Sequence, residues 1–515
     1  MIEGREAIVF HMSTLVPLFF TKKQILALGA ESEGVFSFYK KGEIFISDNF
    51  GDLTGEKNYS NFKREISKLL IGFRPDIILT DLHPLYNSSL YGRWLGKKLV
   101  LPVIKVQHHL AHIFSAYGEE LVRDSKSKIC NERNKFIQGS TKFSSSIWNL
   151  TKRYLEIKLR DVGVKFKDRG SFIGIACDGT GYGLDGKIWG GEIFKCQMLN
   201  ETRFPSERNK RFRDRLKNET NPYINFIERI GHLENQIMIG GDLAIKEPAR
   251  MLISILNKVG NQKPKIESAT QNSKLAQDPI SRCGIRRSIA LKPLAVIWDK
   301  FSQGTLQSMD RNLKFKKEFI YQFVRRFYSR EQFEVLYNQL KEKFNCYETS
   351  STGRVLDAVS VLLGFAKNQR SYKHEPINLL EKNSTKPYNL ESKISYDKNE
   401  KSYILLTTPL FEYLIKNLNR DKKRLAATAQ MYIAKGLHKI ISDFQLSIFN
   451  QAQNSEFKTQ NSYFAGGIAN NKIISSFLEK QGVITNKIIP RGDPGISFGQ
   501  LIYFLLINSL KKLDF

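Results

Sequence analysis

The chain has 515 residues, 41% hydrophobic and 11% aromatic, enough to bury a large core over two to four domain-sized units and too apolar to be disordered throughout. Lys and Arg number 80 against 51 Asp and Glu, a formal charge of +29 that would draw phosphate-bearing partners. Lys is nevertheless scattered among Ile, Asn, Phe and Ser, as biased codon usage produces, and even the densest run, Arg203 to Lys217, carries acidic residues, so a solvated surface is preferred to a nucleic-acid interface.

Cysteines stand at Cys130, Cys177, Cys196, Cys283 and Cys346, no two at the spacing of a zinc knuckle or redox pair, which fits a reducing, cytoplasmic setting. Ala7 to Phe20 is interrupted by His11, Ser13, Thr14 and Pro17 and lacks a basic start, against a signal peptide. Leu501 to Ile507 is too short to span a bilayer, so no membrane association is expected.

Two stretches read as one device used twice: Ile25 to Ser47 and Phe172 to Cys196 each give an apolar strand, an acidic-and-glycine turn and a second strand, and end in Gly-Glu-Ile-Phe. After the first come a helical pattern near Tyr59 to Gly72, strands at Asp76 to Asp81 and Leu101 to Val106, and a histidine-bearing helix. The second half continues through a mostly helical middle, Leu243 to Lys343, a helix over 354–369 and a long helix from Lys422 to Phe444. "YFAGGIANNKIISSFLEKQGV" then gives strand, glycine turn and helix, a pattern that suits phosphate or nucleoside binding. The Asn-, Ser- and Lys-rich stretches 125–150, 260–285 and 382–402 read as loops or insertions.

"KVQHHLAHIFSAYG" places His108 and His112 four residues apart, on one helical face, within reach of one divalent ion. The spacing alone is commonly incidental. His109 points elsewhere and is a candidate base, or a half-buried histidine without chemistry. Asp178 in "CDGTGYG" ends an apolar strand at a glycine turn, where a carboxylate could ligate metal beside backbone N–H groups; an ordinary β-turn explains it equally. Asp493 before Pro494 reads as a helix cap, as do the glycine-and-charge segments "GGDLAIKEPARM" and "SSTGRVLDAVSVLLG". Lys246 and Arg250 could meet phosphate, and Asp357 could accept from a ribose or base.

Together "ILALGAE", Gly51 to Leu53, "TDLHPLY", "VQHHLAH", "DGTGYGLDGKIWGGE", "GGDLAIKEPARM", "SSTGRVLDAV", "AGGIANN" and "GDPGISFGQ" resemble the C-terminal half of the hydrogenase-maturation carbamoyltransferase family, akin to the tRNA threonylcarbamoyl transferases. The resemblance implies an α/β chain with the duplicated acetate kinase/actin/heat-shock ATPase fold and helical insertions. Its layout would be a linker-like segment 1–24, a first half 25–124, an insertion 125–170, and a second half 171–515 with a helical insertion at about 243–345. It implies His108, His112, Asp178 and Asp493 as ligands of a divalent metal, iron or zinc. Gly179, Thr180, Gly181, Gly183, Gly240, Gly241, Lys246, Asp357, Gly466, Gly467 and Asn471 would line an ATP- or AMP-type nucleotide held as carbamoyl-adenylate.

The implied reaction moves the carbamoyl group to the C-terminal cysteine of a hydrogenase-maturation acceptor, with His109 as helping base. Family members carry acylphosphatase, zinc-binding and adenylate-forming domains ahead of this half, and "LVPLFFTKKQ" resembles the linker that leaves the last of them, so a separate adenylate-forming protein is expected. Departures from the pattern are Glu33 in place of a usual Lys, "YKHEP" (Tyr372 to Pro376) in place of a Tyr-Glu-Gly run, and Pro494 in place of a glycine. The alternatives are a nucleotide-binding scaffold without turnover, and carbamoyl or threonylcarbamoyl transfer to tRNA or a small molecule.

Overall fold

The computed structural model describes residues 21–133, 155–158, 171–197, 227–259, 309–451 and 461–511. The first sheet contains β1 (Ile25–Ala27), β2 (Ser37–Lys40), β3 (Glu43–Ile46), β4 (Ile77–Asp81), β5 (Val103–Val106) and β6 (Leu155–Lys158), with α1 (Glu56–Gly72) and α2 (Asn87–Leu99) between strands and α3 (His108–Arg133) after β5. Strands β1 and β4 are buried throughout and pair in parallel, so they read as continuous apolar runs; β3, farther out, alternates in burial.

The second half runs β7 (Phe172–Tyr182), β8 (Ile188–Cys196), β9 (Ile227–Leu233), β10 (Gln236–Ile239), α4 (Leu243–Lys246), α5 (Ala249–Val259), α6 (Met309–Val324), α7 (Arg330–Lys341), β11 (Cys346–Thr349), α8 (Thr352–Leu363) and α9 (Glu375–Lys382). It continues with β12 (Ile394–Asp397), β13 (Ser402–Leu405), α10 (Thr408–Lys416), α11 (Lys422–Gln451), β14 (Ser462–Ala465), α12 (Lys472–Lys480), β15 (Ile484–Thr485) and α13 (Ile496–Lys511).

Order β3-β2-β1-β4-β5 in the first sheet is matched by β9-β8-β7-β14-β15 in the second, with β1–β2 and β7–β8 antiparallel and β1–β4 and β7–β14 parallel. The duplication expected from the sequence is therefore real, but the two Gly-Glu-Ile-Phe segments are not its equivalents. The first lies at the start of β3, the third position, and the second lies within β8, the second position. The shared tetrapeptide does not mark equivalent positions: it alternates in burial at β3 and is buried throughout in β8.

The halves are also interlocked. Helix α3, which closes the first, packs on β7 and β14 of the second; α13, which closes the second, packs on β1, β2, β3 and β4 of the first, and α3 and α13 cross each other. One core accordingly joins Ile25, Ala27 and Leu79 with Ile113, Phe172, Phe498 and Ile502. At the crossing Gly499 meets the α3 backbone so closely that a Cβ there would lie 1.8 Å from the Ala111 carbonyl oxygen.

Several boundaries differ from expectation, among them the long helix from Lys422, which runs to Gln451 rather than Phe444. The helix expected over 354–369 stops at Leu363, because Gly364 takes a left-handed cap at φ 83°. The stretch 382–402, expected as loop, contains β12, which forms a hairpin with β13. Helix α3 continues to Arg133, into the segment expected as insertion. The expected linker up to residue 20, most of the 125–170 insertion, the Arg203 to Lys217 run and the 260–285 stretch lie outside the described residues. Among the described residues no helix is long and apolar enough to cross a membrane.

Candidate metal centre

Three carboxyl ends of parallel strands converge between the halves, the place where α/β sheets bind ligands. Asp81 ends β4, His108 begins α3 directly after β5, and Asp178 lies on β7. The fourth arm is the turn Asp493–Gly495 between β15 and α13. His108, His112, Asp178 and Asp493, all buried, offer ligand atoms within 4.8 Å of one another. His108 Nε2 is 3.2 Å and His112 Nε2 3.4 Å from Asp178 Oδ2, and they stand 3.8 and 3.7 Å from Asp493 Oδ1.

Asp493 is not the cap its sequence context suggests. Its side chain makes no capping bond; its Oδ2 accepts from Lys373 Nζ at 2.9 Å and from Ser32 Oγ, while Lys373 Nζ also donates to Ser32 Oγ at 2.7 Å. Among the described residues Oδ1 is left buried without a hydrogen-bond partner, as is His112 Nε2. Buried polar atoms without partners are costly, and here the orphans belong to one two-nitrogen, two-oxygen set of the kind that suits zinc or ferrous iron. These residues fit the metal that the family resemblance implies.

Electrostatics agree. Burial opposes charge on both carboxyls, but His108 and His112 hold Asp178 well below the usual carboxylate range, and Lys373, with the histidines, holds Asp493 below it. Burial lowers the His108 pKa, but the carboxylates of Asp81, Asp178 and Asp493 outweigh it and raise the imidazolium well above its ordinary value.

Sequence reasoning gave Asp81 no role, although "TDLHPLY" carried it. Its Oδ2 lies 2.7 Å from His108 Nδ1, and its Oδ1 accepts from the His83 backbone N–H. A carboxylate on Nδ1 keeps the proton there and leaves Nε2 free to ligate. Asp81→Asn can turn an amide N–H toward Nδ1 and shift the proton to Nε2; metal affinity is expected to fall about 10–100-fold, measured by competition with a chromophoric chelator.

His109 sits differently from the base expected of it. Gln107 Nε2 donates to His109 Nδ1 at 3.0 Å, so the proton resides on Nε2, which is buried and has no hydrogen-bond partner among the described residues. Burial and the neighbouring His108 push its pKa down to about 3. A ring so placed is a neutral hydrogen-bond donor and a poor base near pH 7.

The expected nucleotide residues divide. Gly181 lets β7 run against the histidines, since a Cβ there would lie 2.4 Å from His109 Cε1 and 3.1 Å from His108 Cδ2. A Cβ on Gly467 would lie 2.7 Å from Asp178 Oδ1, and one on Gly466, at φ 99°, 2.2 Å from the Cys177 carbonyl oxygen. Gly179 and Thr180 are half-buried beside Asp178. The 179–183 segment, expected as a turn, is mostly strand: β7 continues to Tyr182 through a bulge between Cys177 and Gly181, and the turn begins at Gly183.

Asp357 and Asn471 stand behind this surface. Asp357 pairs with Arg354 and Arg370; Asn471 caps α12 through Ile474 N and donates to Gln430. Gly240 and Gly241, both at positive φ, form the turn into α4. Lys246 is exposed at the end of that helix, and no contact from these three reaches the His–Asp cluster among the described residues. Arg250 pairs with Glu247.

Two family models match: the HypF Kae1-like domain over residues 20–119, and the second subdomain of the carbamoyltransferase Kae1-like domain over 174–209 and 298–500. The chain belongs to this family. It is 27% identical over 501 residues to the probable carbamoyltransferase HypF of Methanocaldococcus jannaschii, covering 94% of this chain and 47% of that protein. Carbamoyltransferase HypF of Rhodobacter capsulatus is 22% identical over 496 residues, covering 95% and 47%. This chain thus spans about half the length of these curated relatives.

A full-length HypF crystal structure, described as phosphate- and nucleotide-bound, superposes with a TM-score of 0.59 at 21% identity over 96% of this chain and 47% of that one. HypF of T. kodakarensis gives 0.59 at 23% over 94% and 48%. Both support the duplicated Kae1-like fold.

Proposed function

We propose that this chain transfers a carbamoyl group from carbamoyl-adenylate, supplied by an adenylate-forming partner, to the C-terminal cysteine of a hydrogenase-maturation acceptor. The observation that carries this reading is the buried His108, His112, Asp178 and Asp493 set, with Nε2 of His112 and Oδ1 of Asp493 unpartnered among the described residues, in a chain of the HypF Kae1-like family.

The acceptor thiolate attacks the carbamoyl carbon, a C–S bond forms, and the C–O bond to phosphate breaks with its electron pair leaving on AMP. His108, His112, Asp178 and Asp493 would hold a divalent ion, which would supply Lewis acidity to the carbamoyl carbonyl or the adenylate phosphate. Asp81 orients His108. Lys373 and Ser32 occupy one oxygen of Asp493, so the other is the one turned to the histidines. His109 Nε2–H offers a neutral donor where charge develops, and the thiol proton goes to solvent. Burial, outweighing Lys373, raises the Glu33 carboxyl above its ordinary value.

Labelled carbamoyl transfer tests the reading, using metal-loaded chain, an adenylate-forming domain with ATP and carbamoyl phosphate, and an acceptor protein. Label is expected on the acceptor cysteine only when this chain is present, and His108→Ala is expected to lower the rate at least about 100-fold. Absence of label with carbamoyl-adenylate demonstrated and metal bound would overturn it.

A further inference from the structure

Helix α3 carries more than two imidazoles on the side it turns to the metal centre. Ser115 and Glu119 follow His112 at spacings of three and four residues and so share its face. Glu119 is 4% exposed, a buried carboxylate that the chemistry above does not use. Its Oε1 accepts from the backbone N–H groups of Lys487 at 2.7 Å and Ile488 at 3.0 Å, and its Oε2 from those of Ile488 at 3.0 Å and Ile489 at 2.7 Å. Asn486 Nδ2 lies 3.5 Å from the same Oε2 and donates to Ser115 Oγ at 3.2 Å. Among the described residues every hydrogen-bond partner of this carboxylate therefore comes from one short segment, 486–489. Successive N–H groups gathered on one anion form a nest, and bonds to a charged acceptor are stronger than neutral ones.

The segment so held is the arm that carries a metal ligand. It follows β15, and Asp493 comes four residues after Ile489. The link between them is braced, since Arg491 donates from Nε to the Asn486 carbonyl oxygen at 3.0 Å and from Nη1 to that of Ala469 at 2.8 Å. Beyond Asp493, a Cβ on Gly495 would lie 2.3 Å from the Pro490 carbonyl oxygen and 3.0 Å from Ser115 Oγ, so the turn also rests on α3. Lys373 and Ser32 hold only Oδ2 of Asp493. The place of Oδ1, 3.8 and 3.7 Å from the two Nε2 atoms, is thus set by how the arm lies on the helix. A buried carboxylate is a costly fastening for a connecting loop, and here it registers the arm bearing one ligand against the helix bearing two.

We propose that Glu119 is a positioning residue of the metal centre: by gathering the N–H groups of Lys487, Ile488 and Ile489 it fixes Asp493 relative to His108 and His112. The role rests on the metal reading of the four side chains.

Zinc affinity by chelator competition tests it in the natural chain, Glu119→Gln, Asp493→Ala and the double variant, with thermal melts to confirm folding. Glutamine presents N–H groups where one carboxylate oxygen accepted, so the arm must shift. Glu119→Gln should weaken zinc about tenfold or more. In the Asp493→Ala background the same change should cost less than about twofold, because no ligand is left for the arm to place. Glu119→Asp, one methylene shorter with its charge kept, should weaken zinc less than Glu119→Gln, and it carries the same cycle where Glu119→Gln does not fold. A loss as large with Asp493→Ala as without it would show that Glu119 serves the fold at large and would overturn the positioning role. Unchanged affinity in both folded Glu119 variants would overturn it too, leaving the metal reading intact. A natural chain that binds no zinc would overturn the metal reading and this role together.

Discussion

His112→Leu is expected to lose the metal and keep the fold. His112 is 1% exposed, its Nδ1 and Nε2 both lack hydrogen-bond partners among the described residues, and Nε2 lies 3.4 Å from Asp178 Oδ2. Leucine fills the space of the ring, but buried Asp178 loses one of the two imidazoles that favour its charge, so the metal-stripped variant should range from equal stability to about 1 kcal/mol less stable. Removing one of four ligands should cost more than losing a supporting carboxylate, so affinity should fall at least about 100-fold. Metal content after dialysis and urea unfolding in chelator measure the two halves of the expectation. Stoichiometric metal in the variant would show that His112 is packing, and a loss of stability beyond about 2 kcal/mol would show that its contacts hold the chain together. A large loss of metal affinity beside a small change in stability distinguishes a residue kept for ligation from one kept for folding.

Gly499→Ala is expected to damage the same centre without touching it. The added Cβ would lie 1.8 Å from the Ala111 carbonyl oxygen and 3.0 Å from Ser115 N, both backbone atoms, so α3 and α13 must separate. Overpacking of this kind costs about 3 kcal/mol. Because Ala111 lies between His108 and His112 on α3, the separation also moves both imidazoles relative to Asp178 and Asp493. Displacements near 1 Å cost on the order of 100-fold in geometry-dependent function. Denaturant unfolding and metal affinity should therefore fall together. Gly72→Ala is the control: among the described residues nothing lies within 4 Å of its Cβ position, and it ends α1, so the substitution should stabilise slightly, by up to about 1 kcal/mol. Intact stability and metal affinity in Gly499→Ala would mean that the helices close on each other less tightly than the structure shows.

Local physics made several of these features readable in advance. The run Asp76 to Asp81 could be only a buried strand, and it is β4. A histidine pair at four-residue spacing right after a strand could share one face, and α3 begins at His108. "SSTG" is a cap followed by a helix, and Ser351 caps α8. Other readings went astray where an outcome depends on distant partners. Asp493 before Pro494 is as good a cap as any by local rules, yet its carboxylate lies with Lys373 and Ser32, 120 and 461 residues away in sequence. His109 has the composition of a base and the environment of a donor, because Gln107 and burial decide its tautomer. Asp357 had a free carboxylate on paper and in the fold has two guanidinium groups on one oxygen.

What the sequence determined by itself was the alternation of strands and helices, the repetition of a half, and the side chains able to ligate, since these follow from periodicity and donor chemistry within a few residues. What only the tertiary structure decided was which of those side chains meet. The exchange of α3 and α13 between halves places His108 and His112 opposite Asp178 and Asp493, and the bend at the β7 bulge places Gly179 beside Arg354. Long-range contacts carry no local signature, because their energy is gained only after the chain has closed loops hundreds of residues long.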